Sequence, residues 1–343
     1  MQDIEDSART TPRRVVWSVT PDQSHSAYVK DVVSGLRTAG WTVDSLSLQD
    51  VASTQEQIIH IQWPEHVSRG PNPAKTAAKH ARALMLLAAF RARKHRIIVT
   101  AHNIAPHGDS DPFDVWFREQ ILKMAETMIV LIPGHENQLR KLGQIHRDLQ
   151  VVHIDHPIAS SEAGPGSDAS RDGLLILGLI HPYHRILEFV DALISFGSTR
   201  PVDIVGDIGD NALVEQLEQR SATHDWLTIS AGYVPNERLE PILDRTAAVV
   251  SLQKVPFNSG GPYFAFDRRL PVLLTEGSQA KYLKEAIGDE WVFEVPTNER
   301  LLDLESLKTW IDSPRATPHL DDFVTDAIAK KHADVYELTL TGE

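Results

Sequence analysis

Short runs of β-branched and aliphatic residues recur from Arg14 onward, each followed by a longer amphipathic stretch, and this alternation constrains the fold more than any other feature. A strand reaches a parallel neighbour only through a crossover, so strands spaced by helical segments predict parallel sheets in an α/β protein. In the first half the pattern predicts strands over 14–19, 42–48, 58–62, 96–100, 127–131 and 151–154, with helices over 27–38, 74–94 and 114–125. In the helix over 74–94, Leu84, Leu87 and Phe90 fall on a shared apolar side. The run SSEAGPGSDASRDG at 160–173 has nothing to bury and reads as a linker. Beyond it the alternation restarts, with strands over 174–177, 202–205, 227–230, 247–252, 270–274 and 291–294 and helices over 186–196 and 212–219. The expectation is two Rossmann-like domains, 1–159 and 174–318, facing a cleft, with a final helix within 319–343 packing back toward the first domain. No sequence repeat relates the halves.

Size agrees with two domains, since 343 residues exceed what one core usually serves. The absence of cysteine removes disulfide scaffolds, thiolate zinc sites and thiol nucleophiles together. A formal net charge of −13 argues against nucleic acid, whose binding needs a basic face to replace phosphate counterions. That charge is uneven. From Gly70 to Gly108 there is no Asp or Glu, while Lys75, Lys79, Arg82, Arg91, Arg93, Lys94 and Arg96 fall inside it. A basic helix over 74–96 on an acidic protein points to peripheral contact with an anionic membrane surface. The amino terminus has no apolar signal core, and the longest apolar run, Ala83 to Phe90, is too short to span a bilayer. A cytoplasmic protein, at most peripheral to the inner face of the membrane, is therefore expected.

Open parallel sheets bind ligands beyond the carboxyl ends of their strands. The loops there carry IIHIQWPEH (58–66), IIVTAHNIAPH (97–107) and NSGGPYFAFDRRLPVLL (258–274), and together these resemble the bacterial GT-B glycosyltransferases of polysaccharide and glycolipid assembly, particularly the xanthan-type mannosyltransferases. ILGLIHPYHRILEFVDAL from Ile176, the strand end Val202 to Asp207, and Gly232-Tyr233-Val234-Pro235 are similar to further landmarks of that family. The resemblance implies a metal-independent hexosyltransferase with no resident cofactor. Its substrates would be a nucleotide-sugar donor and a glycan or lipid-linked acceptor. It places the donor on the second half, at Gly178, His181, His184, Arg185, Tyr233, Lys254, Asn258, Ser259, Gly260 and Gly261.

The leaving diphosphate needs hydrogen-bond donors, and backbone N–H groups at a helix start supply them, so Asn258 to Gly261 is the expected cradle. An inverting transfer needs a general base at the acceptor hydroxyl. Glu65 is the first candidate, because neighbouring Trp63 and Pro64 would desolvate its carboxylate. His102 is expected to position the donor sugar or a phosphate, and Asp22, His25, Trp63, Asn103 and His107 to contact the acceptor. The chain departs from the family where His181 and His184 replace Arg and Lys, and where Pro256 and Phe264 replace an acidic pair. Those departures keep open a non-catalytic scaffold with a degenerate donor site. Neither a metal-ligand spacing, a serine-hydrolase elbow nor a dinucleotide fingerprint is present.

Overall fold

The computed structural model describes residues 13–24, 26–68, 72–103, 111–159, 171–254, 257–297 and 303–342, without the side chains of Glu65, His66 and Asn236. Two compact units emerge. The first holds the chain to Val130, Leu139–Ile154 and the carboxyl-terminal residues from Ile328; the second holds Leu131–Gln138 and Asp155–Ala327.

Unit 1 contains β1 (Arg14–Trp17), α1 (Ala27–Thr38), β2 (Thr42–Ser45), α2 (Leu48–Ser53), β3 (Ile58–Ile61), α3 (Pro64–Ser68), α4 (Pro73–Ala92), β4 (Arg96–Ala101), α5 (Pro112–Met124), β5 (Ala125–Val130), the end of α6 (His135–Lys141) from Leu139 on and β6 (Gln150–His153). All neighbours pair parallel in the order β2-β1-β3-β4-β5-β6. The sheet is buried on both faces, which is why β3, β4 and β5 read as near-continuous apolar runs rather than as alternating ones.

Local chemistry sets the element ends. Asn72 accepts from the Lys75 backbone N–H at 2.9 Å and Pro73 takes the first helical position, so α4 begins where capping rules place it. The strand expected over 42–48 stops at Ser45, because Ser47 turns its hydroxyl to the Asp50 N–H and opens α2. Pro64 likewise starts a short helix where a loop was expected. On α4 the buried face is Ala83, Leu86, Leu87 and Phe90; Leu84 is 48% exposed and leaves the expected apolar side.

Unit 2 contains β7 (Gly173–Ile180), α7 (Ile186–Ser195), β8 (Val202–Ile208), α8 (Asn211–Ser221), β9 (Leu227–Ala231), α9 (Asn236–Arg245), β10 (Thr246–Ser251), α10 (Gly261–Asp267), β11 (Val272–Thr275), α11 (Ser278–Ile287), β12 (Val292–Val295) and α12 (Leu304–Asp312). Its parallel order is β12-β11-β10-β7-β8-β9. Asp155 to Ile158 join this unit through Tyr282, Tyr263 and Phe323, so its boundary lies before the linker, whose residues 160–170 are outside the described residues. The last helix, α13 (Thr325–Thr341), belongs to unit 1 from Ile328 on and places His332 and Tyr336 in that unit's core.

Candidate functional site

Each sheet has one position where the winding reverses, and the two loops diverging there leave a crevice for a ligand. In unit 2 the reversal lies between β7 and β10. The loops after these strands are tied together: Lys254 N–H donates to Tyr183 O at 3.0 Å and Arg185 N–H to Leu252 O at 3.4 Å. His184, Arg185, Glu188, Asp210 and Lys254 help line a hollow of about 170 Å³. That is below the roughly 300 Å³ of a whole-ligand pocket, so it suits a fragment such as a phosphate.

The imidazole at 184 is better placed than its ordinary neutrality suggests. His184 Nδ1 accepts from the His181 backbone N–H at 3.0 Å. The neutral ring therefore carries its proton on Nε2 and is a hydrogen-bond donor without needing charge. Tyr183 stacks with His181 at 5.1 Å between centroids. Arg185 differs from expectation. Its guanidinium is 5% exposed and donates to Pro296 O at 2.6 Å and to Glu188 at 3.0 Å, so it braces the loop. Lys254 is exposed and 3.9 Å from the other oxygen of Glu188. Sequence reasoning missed Glu188, which both cations share.

The glycine turn follows β10 on the same sheet edge. Gln279 locks it from both sides, accepting from Ser259 N–H at 3.1 Å and donating to Ser259 O at 2.9 Å. Ser259 and Ser251 hydroxyls meet at 3.0 Å. A Cβ at 260 would lie 3.3 Å from His156 Nε2, so that ring, stacked on Tyr263, would have to give by a few tenths of an ångström. Gly261 has ordinary space around it. Asn258 Oδ1 is buried with no hydrogen-bond partner among the described residues. Gly178 lies within β7, and Tyr233 follows β9 and is 89% exposed.

In unit 1 the reversal lies between β1 and β3. Ser18 N–H donates to His60 O and Gln62 N–H to Ser18 Oγ, both at 2.9 Å, joining the two strand ends. The neighbouring β4 loop delivers His102, 8% exposed, whose ring stacks on Trp63 with centroids 4.1 Å apart. His102 Nε2 lies 2.7 Å from Gln62 Oε1. Trp63, His102, Asn103 and Arg118 line one small hollow, and Arg118 holds the loop by donating to Asn103 O at 3.0 Å. Asp22 lines a different hollow, beside Lys30 and Arg37. Its carboxylate makes a bidentate pair with Arg37, whose hydrogen bond and charge hold the carboxyl below its usual range. His25, His107 and the Glu65 side chain lie outside the described residues; the Glu65 backbone is in α3. No group of three or more His, Asp or Glu is placed to hold a metal ion among the described residues.

No family model matches the chain. Over 290 residues it is 25% identical to a GDP-mannose:glycolipid 4-beta-D-mannosyltransferase of Xanthomonas campestris pv. campestris, an alignment covering 79% of this chain and 75% of that protein. Among solved structures, sucrose-phosphate synthase of Thermosynechococcus elongatus superposes with a TM-score of 0.65 at 16% identity, covering 96% of this chain and 100% of the other. Alr3699/HepE of Anabaena, solved with UDP and glucose, gives 0.62 at 11% identity, covering 96% and 98%. The paired switch-point sheets, the ordered motifs and these likenesses converge: the chain has the GT-B fold and is similar in sequence to bacterial glycolipid mannosyltransferases.

Proposed function

We propose that the chain transfers mannose from GDP-mannose to a hydroxyl of a glycolipid, without a metal or resident cofactor. What supports the reading is that His184 and Lys254 line one hollow at the switch point of unit 2 and that Trp63 and His102 meet on loops at and beside that of unit 1, where parallel sheets bind ligands, in a chain whose sequence relatives carry that activity in their name. Unit 2 takes the donor. Its diphosphate is met by His184 Nε2–H, Lys254 and the backbone of Asn258 to Gly261, with Arg185 and Glu188 bracing the loop. Tyr233 offers an exposed ring for the base. Unit 1 takes the acceptor near Trp63, Asn103, His25 and His107, while Asp22, already paired with Arg37, has a weaker claim.

The β linkage named for those relatives, carried to this chain, calls for inversion of an α-linked donor. Inversion in one displacement needs a base on the acceptor hydroxyl. Glu65 is that base, and His102 positions the donor sugar, accepting at Nδ1 from a sugar hydroxyl while its Nε2–H is held by Gln62. Departures at His181 and His184 support a scaffold less than composition alone implies, because His184 remains a donor when neutral. The deciding experiment is transfer from GDP-mannose, with UDP- and dTDP-sugars as controls, to a short-chain glycolipid. Glu65→Gln should lower turnover by about 10²- to 10⁴-fold while a thermal shift with GDP-mannose persists. No transfer from any donor would overturn the enzyme reading, and unimpaired turnover in Glu65→Gln would move the base elsewhere.

Membrane attachment belongs to the same reading. No helix among the described residues is long and apolar enough to cross a membrane. Leu84 and Met85 on α4 and Val115 and Trp116 on α5 are exposed together with Lys75. His80 stacks on Phe113 and Arg91 bonds Gln120, which sets the two helices side by side, and we propose that these exposed side chains form one patch. Arg82 and Arg91 are less available than the sequence implies, since Arg82 donates to Leu46 O and Arg91 to Gln120. The patch suits an anionic leaflet holding the glycolipid, with apolar side chains entering the interface and the remaining cations facing headgroups.

A further inference from the structure

The core of unit 1 is unusually polar on one side. Behind the β3 and β4 ends lie His60, Gln62, Thr100, Tyr28, His332 and Tyr336, all of them buried. Their bonds form a connected set. His60 Nδ1 meets Tyr336 Oη at 2.6 Å and His60 Nε2 meets Thr100 Oγ1 at 2.8 Å. The Gln62 amide nitrogen lies 3.2 Å from His60 Nε2, and the Gln62 carbonyl faces His102 Nε2 at 2.7 Å. On the far side, His332 Nδ1 lies 2.9 Å from Ile328 O, a pure acceptor, so it must carry the proton. Its Nε2, 3.1 Å from Tyr28 Oη, then accepts.

Burial keeps this machinery neutral: desolvation holds His332 down to about 4 against the pull of the Ile328 carbonyl, and it holds His60 well below its ordinary value, helped there by the neighbouring imidazoles of His332 and His102. Buried polar sets of this kind are costly where apolar packing would serve, and are tolerated when every member is satisfied. Here the set has a direction. It starts on α13 and ends on His102, the residue stacked between the acceptor-side tryptophan and the core.

We propose that Gln62 is a positioning residue, which fixes His102 as the Nε2–H tautomer with Nδ1 as its basic nitrogen, and that α13 holds Gln62 through Tyr336 and His60. A carbonyl oxygen can only accept, so the 2.7 Å contact requires the proton on His102 Nε2. This deepens the functional reading and rests on it wherever His102 is said to act on reactants. The tautomer itself does not depend on activity. The carboxyl-terminal helix is therefore part of the acceptor-side site, although it contributes no side chain to that hollow.

The test uses the full chain labelled with ¹⁵N-histidine, the His102 resonances being assigned by their loss in His102→Gln. Long-range ¹H–¹⁵N spectra at pH 8 should show protonated Nε2 and unprotonated Nδ1. Gln62→Leu should give a mixture of tautomers, whereas Gln62→Glu, which still accepts, should retain the original one. Tyr336→Phe should weaken the preference in the same direction with the fold intact by circular dichroism. Wild-type protein protonated at Nδ1, or a tautomer indifferent to Gln62→Leu, would overturn the proposal. In transfer assays Gln62→Leu should lower kcat by about tenfold to a hundredfold with the donor KM little changed, as loss of an orienting partner does. Full activity in His102→Ala would instead remove His102 from the reaction and leave the tautomer assignment standing.

Discussion

Replacing Gly206 by alanine tests whether the donor-side edge of unit 2 is built as described. Gly206 pairs with Gly178 where β7 and β8 approach their carboxyl ends. A Cβ on Gly206 would fall 1.9 Å from Gly178 O and within 3 Å of two more backbone atoms of that residue. Its φ of +143° is also one that side chains rarely adopt. Backbone strain of this kind costs about 1–3 kcal/mol, and forced overpacking adds roughly 1–3 kcal/mol. The sum is a large part of an ordinary stability of about 5–15 kcal/mol. Gly178→Ala is the control, because its φ of +115° is equally unfavourable but nothing lies within 4 Å of its added Cβ. Urea unfolding, followed by tryptophan fluorescence, should show Gly206→Ala losing at least about 1 kcal/mol more than Gly178→Ala. Equal losses would refute the close approach of the two strands and with it the account of that sheet edge.

Two further outcomes are expected. Serine at Leu84, Met85 and Trp116 together with Lys75→Glu should abolish sedimentation with vesicles containing phosphatidylglycerol while leaving the circular dichroism unchanged, and unaltered sedimentation would mean that the patch does not meet lipid. Stability should also fall in acid: His332 has a pKa of about 4 when folded and 6.5 when unfolded, so the unfolded chain takes up the proton first as pH drops below 6.5, and the loss levels off near pH 4. At about 1.4 kcal/mol per pH unit this amounts to roughly 3 kcal/mol, and His332→Gln should lessen the fall of the urea midpoint over that range, with buried His60 and His156 keeping the remainder; an unchanged slope would refute it.

Much of the fold was legible because its signals are local. The strand cores at Ile58, Ile97 and Val202 announce themselves through continuous apolar runs, and α1 occupies the expected 27–38 because its apolar period is clean. The misreadings are also local. Ser47 and Pro64 are helix starters that a β-branched or loop-like context conceals, and α4 presents Leu84 to solvent because the sheet and α5 select a slightly rotated face. Among site residues, His102 and Trp63 meet as their neighbouring loops imply, and the β7 and β10 loops bring His184 and Lys254 to one hollow. Arg185 could not be assigned from sequence, since whether a guanidinium faces a ligand or Pro296 O depends on a residue 111 positions away.

By itself the sequence determined the α/β class and the parallel sheets, and it pointed to the strand-end loops, because periodicity, capping and the carboxyl-end rule act within a few residues. Only the tertiary structure decided which donors and acceptors those loops present. Gln62 faces His102, His156 lies under Gly260, Glu188 lies between Arg185 and Lys254, and α13 delivers Tyr336 to His60 across 276 positions. A hydrogen bond holds only within a few tenths of an ångström, and such distances between remote residues are set by packing.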